Sequence, residues 1–298
     1  MNGLPRGLAH AIAQATGARF VPAHVKPVGG GCIHTALEIA GDTPSGGRTY
    51  FAKVNDAQHA AMFAAEADGL EALRAAGAVR VPATVAQGDD GEHAWLVLEW
   101  LELEPLAAGT GARLGAALAA QHRVRQAKFG WPRDNFIGSS RQANGETDDW
   151  LAFWRDKRLH AQLMLAARNR LPSRLIDRGE RLAADCGAFF RGHAVQPSLL
   201  HGDLWSGNAA ASRGEPVVFD PAVYVGDREA DVAMTGLFGG FPVDFLSAYR
   251  AHWPLDDGYR VRRDLYNLYH VLNHSNLFAG DYVRQAGHQI EQLLAQIG

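Results

Sequence analysis

The pattern of apolar residues changes its period once along this chain, and that change limits the folds open to it. Up to about residue 101 the sequence reads as short strands around one long helix. Residues 36–40, 49–54, 79–82 and 94–99 have the composition and partial alternation of strands, whereas residues 57–76 place Phe63, Ala67, Leu70 and Leu73 at helical spacing and stop at Gly77. A short helix over residues 8–16, ended by Gly17, precedes them, with a Gly-rich turn at 28–32 and a turn cluster at 41–47. Beyond residue 101 a helix is predicted between Ala112 and His122, followed by a polar, turn-rich stretch from Phe129 to Asp149. Helices fill the rest, apart from one β-like patch at 199–220. The expectation is an α+β fold with a small sheet-rich lobe over residues 1–101 and a larger, mainly helical lobe over 102–298.

Charge then narrows the function. The 298 residues carry 29 Lys and Arg against 32 Asp and Glu, so there is no basic excess of the kind that coats nucleic acid or an anionic membrane. With 47% apolar and 20% charged residues the chain is not of disordered composition. Two cysteines, Cys32 and Cys186, make no disulfide framework and suit a reducing compartment. The opening residues lack a basic segment followed by a long apolar one, and the longest apolar run, 94–103, is broken by Glu99 and Glu102. A soluble cytoplasmic protein is expected, with neither nucleic acid nor membrane as partner and the oligomeric state left open.

The strongest chemical signal is Leu199-Leu200-His201-Gly202-Asp203-Leu204-Trp205-Ser206-Gly207-Asn208, with Val217-Val218-Phe219-Asp220 behind it. Phosphoryl transfer needs one carboxylate to orient the attacking hydroxyl and take its proton. It also needs an amide oxygen and a second carboxylate to hold Mg²⁺ on the phosphates of ATP. The Asp-x-x-x-x-Asn spacing matches that of a kinase catalytic loop. Asp203 is therefore the candidate base, and Asn208 and Asp220 the candidate metal ligands. Upstream, Lys53 ends a strand-like segment and Glu66 lies on the predicted helix, placed to fix the ammonium against the α- and β-phosphates. Asp68, two residues on, faces elsewhere on a helix. Gly29, Gly30 and Gly31 let backbone N–H groups approach phosphate oxygens, although their string is neither Gly-x-Gly-x-x-Gly nor Walker A. Cys32 beside them is either a small apolar filler or an exposed thiol whose oxidation would switch ATP access. Glu99, Trp100, Leu101 and Glu102 stand where the two halves meet, where backbone groups would read the adenine edge.

Several segments resemble the fructosamine/ketosamine 3-kinases: 201–208, 219–224, 226–234, 134–138 and 265–274. The resemblance runs from the Gly-rich turn to the last helix, and that family is similar to aminoglycoside phosphotransferases and shares the two-lobed protein-kinase-like fold. It implies an ATP- and Mg²⁺-dependent kinase acting on O3 of the sugar in a ketosamine, such as a fructosamine or ribulosamine, small or protein-bound. The implied biology is deglycation, since the 3-phosphate leaves readily and releases the amine. By position the resemblance carries the base to Asp203, the metal ligands to Asn208 and Asp220, the ion pair to Lys53 and Glu66, and the adenine frame to residues 99–102. Asp220-Pro221 replaces Asp-Phe-Gly and His201-Gly202-Asp203 replaces His-Arg-Asp, departures that fit a small-molecule kinase. The alternatives are a kinase of aminoglycosides or choline-like alcohols, and a catalytically silent nucleotide-binding module.

On the acceptor side, Trp205 is expected to stack on the sugar or to pack under its loop. Asp227, Arg228, Glu229 and Asp231 read as substrate-amine contacts or as a helix-capping ion-pair network. Tyr266, Tyr269 and Asn273 read as pocket lining or as core. His270 and His274 are four apart with no Glu at 271, which predicts helix packing rather than zinc. His201 is expected to hold the loop through backbone hydrogen bonds.

Overall fold

The computed structural model describes residues 4–29 and 33–297. Gly30, Gly31 and Cys32 lie outside the described residues, together with the phosphate-loop and redox expectations placed on them. The chain groups into two compact units, Met1–Pro105 with Ala210–Asp220, and Leu106–Ala209 with Pro221–Gly298. No helix among the described residues is long and apolar enough to cross a membrane.

The first unit is built on a five-stranded antiparallel sheet of order β1-β2-β3-β5-β4. Its elements are α1 (Leu8–Thr16), β1 (Val21–Pro27), β2 (Thr35–Thr43), β3 (Gly46–Asp56), α2 (Ala60–Ala76), β4 (Thr84–Asp89) and β5 (His93–Glu99). Side chains alternate along β3. Ala52 and Val54 join Leu8 and Ile12 of α1, Leu37, Ile39, Trp95 and Val97 in one core, which turns Lys53 to the opposite face. Helix α2 buries Phe63, Leu70 and Leu73 and ends at Gly77, whose left-handed φ of 73° lets its N–H cap the Leu73 carbonyl.

Three expectations change here. Residues 79–82 supply a single parallel bridge, Arg80 to Val217, and the strand begins only at Thr84, beyond Pro82. The turn cluster at 41–47 is mostly strand, because β2 and β3 stay in register to Thr43 and Gly46 and leave Pro44-Ser45 as the turn. Strand β1 was not expected at all. It is an edge strand with six of its seven residues exposed or nearly so, and thus lacks the apolar face that marks a strand in sequence. Pro22 and Pro27 are tolerated there because an edge needs no full row of N–H donors.

The second unit is mainly helical: α3 (Thr110–Arg123), α4 (Trp150–Phe153), α5 (Ala161–Arg168), α6 (Ser173–Asp185), α7 (Glu229–Leu237), α8 (Val243–His252), α9 (Tyr259–Phe278) and α10 (Asp281–Ile297). A hairpin of β6 (Asn135–Ile137) and β7 (Ser140–Gln142) lies before α4. Strand β8 (Ser198–Leu200) pairs with β11 (Tyr224–Gly226), and the hairpin of β9 (Ala209–Ser212) and β10 (Glu215–Val218), which lies between them in sequence, belongs almost wholly to the first unit. Trp150, Phe153, Trp154, Leu163, Tyr224, Tyr266, Tyr269 and Leu272 share one core.

A π-helical stretch, Trp154–His160, joins α4 to α5 and carries Arg158 into that core. The fully buried guanidinium lies 4.0 Å over the Tyr224 ring and donates to the Ala143 carbonyl (2.6 Å) and the Asn144 amide oxygen (2.9 Å). Asn144 in turn donates to Asn135 (2.8 Å). Asn135 donates to the Val223 carbonyl (2.7 Å), and Gln142 to the Ala222 carbonyl (3.0 Å). The Tyr269 hydroxyl completes the set by donating to Gln142 (2.7 Å). This buried polar network fixes the backbone that follows Asp220-Pro221, and its hydrogen bonds offset most of the cost of burying polar groups, although Arg158 Nε has no partner in it.

Candidate active site

The string His201–Asn208 leaves β8 at a forced bend. Gly202 has φ 81°, and a Cβ on it would overlap the Ala222 carbonyl oxygen, so only glycine fits. The same passage is closed by Ala222 N–H donating to the His201 carbonyl at 2.9 Å. Asp231, buried in the first turn of α7, holds the bend from below by accepting from the N–H groups of His201 (2.7 Å) and Gly202 (2.9 Å). It also accepts from His122 Nε2 at 3.1 Å. Burial alone would raise its pKa, but the hydrogen bond and charge of His122, with His201 and the Gly202 N–H, bring it below the ordinary carboxylate value. The carboxylate therefore stays ionised inside the protein.

The support continues outward. His122 Nδ1 meets the Tyr249 hydroxyl at 2.9 Å, and that hydroxyl accepts from Arg228 at 3.2 Å. Arg228 lies 4.1 Å over the Trp253 ring and donates to the Pro254 carbonyl at 2.6 Å. Asp227 is buried and accepts from the Tyr266 hydroxyl (2.7 Å) and the Glu229 N–H (3.0 Å), and it meets His193 Nε2 at 2.7 Å. Arg262 pairs with Glu229 (2.7 Å) and with Asp256. Among the described residues, the one trio with metal-ligand spacing is His193, Glu229 and Asp256, and the Arg262 cation already serves two of its members.

Of the two readings open for this charged cluster, the hydrogen bonds show the ion-pair network, which takes up Asp227 and Arg228 and braces the loop and the helices around it. Of the two readings open for Tyr266 and Asn273, pocket lining or core, the burial shows core. Tyr266 is buried edge-on to Trp154 at 4.7 Å, and Asn273 is buried between Gln162 (3.2 Å) and the Ile137 carbonyl (3.4 Å). Their stripe on α9 faces the core. His270 is buried, which pushes its pKa down to about 3, and its carbonyl accepts from His274 Nδ1 at 2.8 Å, as helix packing predicts.

Within the loop, the Asn208 amide donates to both the carbonyl (2.9 Å) and the carboxylate (3.2 Å) of Asp203. The Asp203 N–H donates to His201 Nδ1 at 3.3 Å, so His201 braces the loop through its ring as well as its backbone. The Trp205 indole lies across Gly207, where a Cβ would overlap the ring, and meets Phe238 edge-on at 6.0 Å. It is 38% exposed, neither core nor free.

In the first unit, Lys53 Nζ sits 2.6 Å from Glu66 and 2.6 Å from Asp220. Glu66, not Asp68, is the helix partner. Burial pulls the lysine pKa down, but the two carboxylates outweigh it and raise it, so the ammonium keeps its proton. Asp220 holds φ at 56°, a left-handed conformation that Asp tolerates better than most residues. Beside this triad lies His34, which no motif marked. Burial, helped by the Lys53 charge, pushes its pKa down to about 4, and its Nδ1 meets the Asn55 amide at 2.8 Å. Glu99 accepts from Arg80 (3.1 Å) and the Ala83 N–H (3.2 Å). Trp100, Leu101 and Glu102 then lie outside regular secondary structure, and Glu104 N–H donates to the Ala211 carbonyl at 2.8 Å. Gly29 is exposed. The structure therefore groups Asp203 with Asn208, and Asp220 with Lys53 and Glu66. By their chemistry, an amide oxygen such as that of Asn208 and a carboxylate such as that of Asp220 are each hard oxygens of the kind Mg²⁺ takes.

A family model described as fructosamine kinase matches residues 6–296. A Synechocystis protein named as a probable ketoamine kinase is 43% identical over 293 residues, covering 96% of each chain. The chloroplastic protein-ribulosamine 3-kinase of Arabidopsis thaliana is 39% identical over 274 residues, covering 91% of this chain and 82% of that one. A crystal structure from Haemophilus somnus 129PT, assigned by name to the fructosamine-3-kinases, superposes with a TM-score of 0.87 at 29% identity and covers 96% of both chains.

Proposed function

The chain belongs to the fructosamine kinase family, and on that premise we propose that it transfers the γ-phosphoryl group of ATP to O3 of the sugar in a ketosamine. It is a kinase of the protein-kinase-like fold, and ATP is its phosphoryl donor. The observation that carries the acceptor chemistry is the Asp203–Asn208 pair on a loop fixed by Asp231. Asp203 orients the sugar hydroxyl and accepts its proton as the O–P bond forms. Asn208, which donates to the Asp203 carboxylate at 3.2 Å, keeps it in one rotamer, and its second bond, to the Asp203 carbonyl, holds the backbone. Lys53, held charged by its two carboxylates, neutralises the α- and β-phosphates, and Glu66 fixes its direction. Asn208 and Asp220 would hold Mg²⁺, which supplies charge neutralisation on the β- and γ-phosphates when bound. The exposed indole face of Trp205, two residues past the base, covers the C–H face of the sugar. The product is a ketosamine 3-phosphate, which loses phosphate and releases its amine, so the reaction serves deglycation.

The test is ADP release with Mg²⁺ and a ribulosyl- or fructosyl-lysine acceptor, with the position of the phosphate read by ³¹P–¹H correlation. Asp203→Asn should abolish turnover while ATP binding, measured by calorimetry, stays near that of the parent. Normal turnover by Asp203→Asn would overturn the assignment of the base. Phosphorylation of aminoglycosides or choline but of no ketosamine would overturn the acceptor.

A further inference from the structure

Five rings run in contact across the surface of the second unit, beginning at Trp205. Trp205 meets Phe238 at 6.0 Å, Phe238 meets His274 at 5.1 Å, and His274 meets Phe278 at 5.6 Å and Tyr282 at 5.0 Å. Phe278 and Tyr282 are 6.2 Å apart. The rings come from four places: the catalytic loop, the end of α7, the last turns of α9 and the first turn of α10. Phe238 and Phe278 are 39% and 58% exposed, although the core of this unit is rich in aromatic residues that are fully buried. Burial holds the pKa of His274 below the usual histidine value, so its ring is uncharged at neutral pH. The row is thus a continuous uncharged aromatic strip, and contiguous exposed apolar surface of this kind is a mark of an interaction site.

One sugar covers about one aromatic ring. If Trp205 covers the sugar, Phe238, Phe278 and Tyr282 are surplus to it. A ketosamine continues from its sugar into an amine, which is cationic when protonated, and then into whatever carries that amine. Aromatic faces suit both parts, since they attract a cation and bury apolar side chains. We propose that the strip continued from Trp205 through His274 is the subsite for a peptide carrier, in which Phe238, next to Trp205, takes the stem of the modified lysine, and Phe278 and Tyr282, at the far end, take an apolar residue next to it. The proposal rests on the ketosamine reading of the acceptor and adds which side chains meet the carrier beyond the sugar.

The experiment compares two acceptors bearing the same ribulosyl-lysine: the acetylated lysine amide alone, and a hexapeptide in which Leu and Phe flank it. The parent enzyme should show a KM for the peptide about fivefold lower than for the short acceptor, as expected for a surface aromatic contact. Phe278→Ala, at an exposed position, should remove that difference. It should leave kcat, the KM for ATP and the KM for the short acceptor unchanged, and Phe278→Trp should restore the preference. Equal KM values for both acceptors in the parent, or an unchanged preference in Phe278→Ala, would overturn the inference while leaving the ketosamine reading intact. Failure of the parent to phosphorylate either acceptor would overturn both.

Discussion

Replacing Asp231 by Asn exchanges one oxygen for an NH₂ group and weakens the support of the catalytic loop. One carboxylate oxygen accepts from His201 N–H and His122 Nε2, the other from Gly202 N–H. Asparagine has the same shape but one acceptor. With its oxygen toward His201 and His122, its NH₂ faces the Gly202 N–H across the 2.9 Å now spanned by a hydrogen bond. The opposite rotamer sets the NH₂ against His201 and His122 and is worse. The smaller damage is one lost charge-assisted bond and one buried N–H left unsatisfied, together about 2–4 kcal/mol. A loop displaced by about 1 Å misplaces Asp203 and costs roughly 100-fold in kcat. Lys53 is untouched, so the KM for ATP should hold. Urea denaturation gives the stability change and coupled ADP release gives the rate. A variant within about 0.5 kcal/mol of the parent that also turns over at the parental rate would refute the reasoning, since that is the scale of a neutral surface change.

Other predictions concern the lysine and the histidines. Glu66→Gln leaves Lys53 paired with Asp220 alone, so the ammonium should swing and the KM for ATP should rise about tenfold, checked by initial rates against ATP concentration. Burial pushes His270 down to about 3 and His34 to about 4, so the folded protein binds fewer protons than the unfolded chain between those values and the ordinary histidine pKa of about 6.5. The share of the stability carried by these two histidines should therefore fall as pH drops below about 6.5 and level off near pH 3. Urea midpoints against pH should show this slope, and His270→Gln should flatten it. An identical slope in that variant would contradict the buried, neutral assignment.

The parts legible in sequence were those whose signal is local. The Lys53–Glu66 pair follows from a strand and a helix at known spacing, and the Asp203–Asn208 contact from a five-residue interval that one loop closes on itself. What escaped depends on partners far along the chain. Asp231 reads as one more charge at a helix start, because the N–H groups it holds lie about thirty residues upstream. Arg158 sits in a stretch of ordinary surface composition, and only a π-helical turn and the Tyr224 ring make it core. Tyr266 and Asn273 fall at spacings that fit a pocket or a core equally, and the helices that cover α9 decide it. Strand β1 escaped for the opposite reason. An edge that buries little imposes no alternation on its residues.

That edge also bears on how the protein behaves in a crowd. Two imino acids interrupt the outermost strand, and a bulge between Pro22 and His24 breaks its register. A neighbouring chain laid alongside would meet gaps where it needs donors and a kink where it needs a straight rail. The rim of the sheet therefore discourages sideways stacking into ribbons, and a version in which both prolines were exchanged for valine would offer an open seam to every other copy in solution.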